Sequence, residues 1–163
     1  MIVYHGSTEI IKNPDVVHSK KYLDFGRGFY ITTFENQAKK WAVRKGMRQE
    51  KTAIVNIYEL SEAWDDFKVL CFEKENEKWL DFVCAGRKGQ PLNKEYDIII
   101  GNVADDDVFK TVDMYFRGLW DKEKVLDELR YYKMNNQICI VNQETLNRLI
   151  TFKRAYEVEN NGR

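Results

Sequence analysis

Segments that read as strands and segments that read as helices follow one another in this chain without regular alternation, and that order constrains its fold most. Strands are expected at residues 2–4, 29–32, 52–60, 67–72, 96–100, 137–141 and 150–158. Helices are expected at 34–45, 75–85, 105–116, 122–132 and 143–149. A doubly wound parallel sheet needs a crossover helix between successive strands. Here two strand segments adjoin with no helix between them, and two helices adjoin with no strand. The pattern therefore predicts an α+β fold. No internal repeat, low-complexity tract or linker divides the chain, so residues 1–159 are expected to form one domain, with 160–163 as a frayed tail.

Local chemistry supports these boundaries. Thr33 can cap the helix after the second strand. Phe34, Ala38, Trp41 and Ala42 then fall on one face of it. Trp79, Phe82 and Val83 form the inward face of the helix expected at 75–85. Asn142 is placed to cap the last helix. Residues 8–25 carry Pro14 and lack periodicity, so they read as a loop with one helical turn at most.

Composition disfavours several classes of function. The chain has 26 basic and 26 acidic side chains, so no global positive field draws nucleic acid. Its 44% hydrophobic content is enough to fill a core. Cys71, Cys84 and Cys139 are widely spaced and lack metal-ligand spacing, which reads as reduced thiols in a cytoplasmic protein. The N-terminus lacks the pattern of a signal peptide. The longest clean apolar runs, such as Ile98-Ile99-Ile100, fall far short of the ~20 residues that span a bilayer. Asp105-Asp106-Asp107 at a helix start reads as dipole complement and cap, not as a metal site. His18, Lys20 and Lys21 read as surface residues.

Four segments carry candidate chemistry. Tyr4-His5-Gly6-Ser7 follows the first strand; Gly26-Arg27-Gly28-Phe29-Tyr30-Ile31-Thr32-Thr33 runs through a glycine-flanked turn into the second; Trp41 lies eleven residues after Tyr30; and Asn136-Gln137-Ile138-Cys139-Ile140-Val141 stands near the C-terminus. In this order they resemble the NAD-binding core of the ADP-ribosyltransferase superfamily, in its diphtheria-toxin and poly(ADP-ribose) polymerase branch. Within that superfamily the chain looks most like an uncharacterised bacterial domain family (domain of unknown function, number 3990). The Arg-Ser-Glu branch fits worse, because its Arg and its Ser-Thr-Ser are not present in that order. The resemblance implies two small antiparallel sheets, peripheral helices and a NAD cleft between the sheets.

It also implies roles. His5 would hydrogen-bond the adenosine-side ribose, and Gly6 would offer its backbone to the nicotinamide carboxamide. Ser7 would contact the same ribose or cap the turn. Tyr30 and Trp41 would wall the nicotinamide ring, since aromatic faces attract cationic rings; Trp41 reads equally as the core stripe of its helix. Thr32 and Thr33 would back the slot or act as caps. Arg27 would reach a cofactor phosphate or stay solvated, and Gly28 permits the tight loop. Residues 96–105 could line the acceptor side.

Gln137 stands where the branch carries Glu. That Glu hydrogen-bonds the nicotinamide ribose and stabilises an oxocarbenium-like transition state. Gln keeps a hydrogen bond but not the charge. Losing such an electrostatic contact typically slows reaction by about 10²–10³. The resemblance thus implies a mono-ADP-ribosyltransferase using NAD as substrate and no metal, with His5, Tyr30 and Gln137 as catalytic residues. Its acceptor would be a protein, nucleic acid or small molecule. It would be toxin-like, with an antitoxin protein as partner, and without a membrane association. One alternative is a module that binds NAD or ADP-ribose without cleaving it. Another is an interaction protein in which the motifs are coincidental.

Overall fold

A computed structural model describes residues 1–20, 22–104, 106–129 and 135–159. The expectations for Lys21, Asp105, the end of the 122–132 helix and the 160–163 tail lie outside these residues. So do any statements on the Asp106 and Asp107 side chains. The elements in chain order are β1 (Ile2–Ser7), β2 (Phe29–Ile31), α1 (Glu35–Gln49), β3 (Ile54–Leu60), β4 (Val69–Cys71), α2 (Glu77–Arg87), a 3₁₀ turn (Leu92–Glu95), β5 (Ile98–Gly101), α3 (Asp106–Phe116), α4 (Lys122–Leu129), β6 (Gln137–Ile140), α5 (Gln143–Leu149) and β7 (Ile150–Glu157). The class is α+β, with two small sheets and five α-helices among the described residues.

One sheet has three strands in the order β1-β3-β7, and the other has four in the order β2-β6-β5-β4. The first is antiparallel throughout. The second departs from the antiparallel expectation, because β4 and β5 run parallel. Parallel neighbours need a long crossover. The connection between them supplies one, since it carries α2 and the 3₁₀ turn. Among the described residues a single bridge, between Tyr4 and Thr32, joins the two sheets, with Tyr4 N–H donating to Thr32 O at 2.8 Å and Thr32 N–H to Tyr4 O at 3.0 Å.

Alternation along the strands sorts side chains into three clusters. Val3, Tyr58 and Leu60 of the first sheet meet Phe29, Ile31, Ile98, Ile138 and Ile140 of the second, forming the core between the sheets. On its outer face the first sheet receives α1 through Ala38 and Ala42 against Val55 and Ile57. The second sheet's outer face, with Ile99 and Cys139, is covered by Trp79, Leu80 and Val83 of α2 and by Val108 and Val112 of α3. Phe82, expected inward, is only partly buried, and Leu80 takes an inward place.

The helix starts show their causes. Asn76 accepts from Trp79 N–H at 3.0 Å, and Asn142 from Thr145 N–H at 2.9 Å, the latter as expected. At α1 the expected cap is displaced. Phe34 occupies the capping position without a side-chain bond, and Thr32 Oγ1 instead accepts from Phe34 N–H at 3.1 Å. Thr33 is otherwise engaged, accepting at its hydroxyl from Asn136 Nδ2 at 2.6 Å. The described residues between 8 and 25 contain no helix or strand. Buried Asn56 holds part of this loop, accepting from Ile11 N–H at 2.8 Å and donating to Glu9 O at 2.9 Å.

Candidate functional site at the seam between the sheets

The first strand extends further than expected, so His5, Gly6 and Ser7 belong to β1. They stand beside the seam where β1 and β2 share their single bridge. Tyr4 directs its N–H and C=O to β2, not to β3. Gly6 is in phase with Tyr4 two residues on, so its backbone groups face the same edge. There the antiparallel bridge does not continue: the residue opposite is Tyr30, whose carbonyl accepts from the His5 ring instead of from Gly6. Above Gly6 there is no room for a side chain. A Cβ would collide with the Ala38 carbonyl oxygen, and would stand 2.7 Å from Ala42 N and 3.0 Å from the Trp41 Cβ. Gly6 and Trp41, expected on one slot, are thus neighbours, and the glycine is required by the closeness of α1.

His5 points the other way, into the inter-sheet core, where its ring stacks on Phe29 with centroids 4.5 Å apart. Its Nδ1 lies 2.6 Å from Tyr30 O. A carbonyl only accepts, so Nδ1 carries the proton. Burial lowers the imidazole pKa to about 4; the Tyr30 carbonyl opposes this and the Lys45 charge adds to it. The ring is therefore neutral near pH 7, and Nε2 carries a lone pair. Among the described residues nothing donates to that nitrogen, and none of their sealed side-chain nitrogens or oxygens lacks a partner, so Nε2 reaches solvent.

Tyr30 lies on the outer face of its sheet, paired with Cys139 in register. Its hydroxyl donates to Gly26 O at 2.5 Å and accepts from Phe25 N–H at 3.0 Å. Burial, with Cys139 and the Asp24 carboxylate nearby, pushes the phenol pKa well up, and burial pushes the Cys139 thiol to about 12. Both groups stay protonated. Tyr30 therefore pins the turn in which Gly26 adopts φ 76°. Asn93 closes that turn from outside by donating to Arg27 O at 2.8 Å. The Arg27 side chain is exposed. Gly28 is buried, and a Cβ there would collide with the Cys139 sulfur and come within 2.8 Å of Ile140 O.

Other expected contributors are already committed. Thr32 is fully buried and donates to Asn136 Oδ1 at 2.8 Å. Ser7 is buried as well. The rings of Tyr30 and Trp41 make no contact with each other, since Tyr30 sits on the second sheet and Trp41 on α1. Asn136 ties the motifs together: it receives Thr33 N–H at 3.0 Å, and its carbonyl accepts from Gln37 Nε2 at 2.6 Å.

Gln137 is 4% exposed and opens β6, next to β2. Its Nε2 donates to Asp24 Oδ2 at 3.0 Å and to Asn102 O at 3.3 Å. Asp24 is also paired with Arg87, whose Nη2 lies 2.7 Å from Oδ1. The sequence does not single out Asp24 or Arg87, and no local pattern marks them; Asn102 lies in the 96–105 segment expected on the acceptor side. A cavity of about 390 Å³ touches Asp24 and Arg87, with Tyr22, Leu23, Val112, Asp113 and Phe116, but none of His5, Tyr30, Trp41 or Gln137. No group of His, Cys, Asp and Glu suited to a metal occurs among the described residues. No helix among them is long and apolar enough to cross a membrane.

Residues 1–152 match the family model described as Protein of unknown function (DUF3990). That match covers most of the chain, which belongs to this family. No curated protein matches it.

Proposed function

We propose that this protein binds NAD at the seam between its sheets and acts as a mono-ADP-ribosyltransferase. The reading rests on one observation: the three motif segments lie on adjoining strands, with β1 bridged to β2 at Tyr4 and Thr32 and β2 paired to β6. Residues separated by over a hundred positions are thereby brought to one place, in the order the motif resemblance implies. The free edge at Gly6 offers one donor and one acceptor, which is what a carboxamide requires. Trp41 stands beside it as an aromatic wall. Nε2 of His5 accepts from a ribose hydroxyl. The acceptor is an O, N or S nucleophile on a protein, a nucleic acid or a small molecule.

In the reaction, the bond between ribose C1′ and the nicotinamide nitrogen breaks, and nicotinamide leaves with the bonding pair as a neutral ring. The acceptor nucleophile bonds to C1′ and releases its proton. Gln137 contributes a hydrogen bond to this process but no charge, and it cannot serve as a base. The product is a single ADP-ribosyl group rather than a polymer. An antitoxin protein as partner belongs to the same proposal.

The test is release of nicotinamide from NAD, followed chromatographically, with and without a cell lysate as a source of acceptor. Release that Trp41→Ala abolishes supports the transferase. The uncharged, almost fully buried Gln137 favours a second reading, in which NAD or ADP-ribose is bound and left intact. Binding without nicotinamide release in either condition selects that reading.

A further inference from the structure

We infer that Asp24 is a positioning residue: it locks the Gln137 amide with Nε2 inward and Oε1 outward, keeping an acceptor for a sugar hydroxyl where no carboxylate is present. The inference rests on the NAD-binding reading and deepens it. Gln137 Nε2 meets two groups, Asp24 Oδ2 at 3.0 Å and Asn102 O at 3.3 Å. Both are acceptors without a proton to give. Turning the amide over would set Oε1 against both, so a single orientation satisfies the chemistry.

Asp24 is itself held from several sides. Oδ1 receives Arg87 Nε at 3.0 Å and Nη2 at 2.7 Å, and Oδ2 receives Ala104 N–H at 2.9 Å as well as Gln137. A carboxylate with four donors around it cannot rotate, and at 9% exposure it is shielded from water. Its negative charge lies behind the Gln137 NH₂ group and polarises the amide, which strengthens Oε1 as an acceptor. That oxygen takes no bond from the described residues, and none of their sealed side-chain polar atoms is unsatisfied, so Oε1 reaches solvent.

The experiment compares binding of NAD with that of NAD lacking the 2′-hydroxyl on its nicotinamide ribose, by calorimetry, in the unaltered protein and in Asp24→Asn. An asparagine can turn either end of its amide to Gln137, so it frees the orientation and removes the charge. The unaltered protein is expected to prefer NAD by about tenfold, the worth of one good hydrogen bond. In Asp24→Asn that preference is expected to fall below about threefold, while affinity for the deoxy analogue holds. An equal preference in both proteins overturns the inference. So does a lack of preference in the unaltered protein, although NAD binding itself then stands. Failure to bind either ligand removes the NAD reading and this inference with it. Because Asp24→Asn leaves Arg87 without this carboxylate and can impair folding, nuclear magnetic resonance of the unaltered protein provides a second readout. The Gln137 NH₂ pair, assigned by its loss in Gln137→Glu, is expected to exchange slowly with solvent. Rapid exchange of both protons, as in a solvated glutamine, overturns the lock.

Discussion

The His5 imidazole donates from Nδ1 to the carbonyl of Tyr30 at 2.6 Å, binding the side chain of one motif to the backbone of the next across the seam. Its pKa is lowered to about 4 from an ordinary 6.5. The sign of the consequence follows. Between pH 4 and 6.5 the unfolded chain holds a proton on this histidine and the folded protein does not. Stability from this group is thus complete above pH 6.5 and declines as pH falls toward 4, by roughly 3 kcal/mol in total. Denaturant melts from pH 7 to 4 are expected to show this loss, and His5→Phe to flatten that part of the profile. An unchanged profile in the variant would mean that His5 is not the titrating group.

Gly6→Ala tests how closely α1 is pressed to β1. The added methyl group would collide with the Ala38 carbonyl oxygen and come within 2.7 Å of Ala42 N, both part of the helix backbone. Backbone cannot rotate out of the way as a side chain can, so α1 must shift and carry Trp41 with it. Overpacking of this kind typically costs about 1–3 kcal/mol. Urea denaturation would measure it, and a loss under about 0.5 kcal/mol would contradict the packing.

A related pair isolates the second close approach. Gly28→Ala would press a methyl group on the Cys139 sulfur and near Ile140 O. Cys139→Ala removes the sulfur but leaves the carbonyl. The double variant is expected to recover part of the destabilisation caused by Gly28→Ala, as a non-additive term of about 1 kcal/mol. Strict additivity of the two changes would show that the sulfur is not the obstacle.

Arg87→Ala is expected to cost about 3–5 kcal/mol, because it leaves the buried Asp24 carboxylate without its cation. Thermal unfolding would read this directly. A shift within the range of surface substitutions would place the ion pair among those that contribute little.

Most of the architecture was legible because it is written locally. Asn142 announces its helix by side-chain chemistry, and the apolar runs at 98–100 and 138–141 announce their strands. Where local signals compete, tertiary partners decide the outcome. Thr33 has the right chemistry for a cap, but Asn136, 103 residues away, takes its hydroxyl and Thr32 serves α1 instead. The parallel pairing of β4 with β5 depends on which way the chain returns after α2, which periodicity does not encode. Asp24 was invisible for the same reason. Its partners Arg87, Ala104 and Gln137 lie 63, 80 and 113 positions away, and nothing near it distinguishes it from a solvated loop aspartate. The motif residues were legible as residue types in order, whereas the direction of each side chain was not. The His5 ring faces the core between the sheets and the Tyr30 ring the opposite face, because strand alternation decides it.

The central claim is that NAD occupies the seam. Isothermal calorimetry of the purified protein with NAD, beside His5→Ala and Trp41→Ala checked for folding by circular dichroism, tests it most directly. The account predicts saturable binding by the unaltered protein and its loss in both folded variants. No heat of binding in the unaltered protein, or equal affinity in all three, would contradict it.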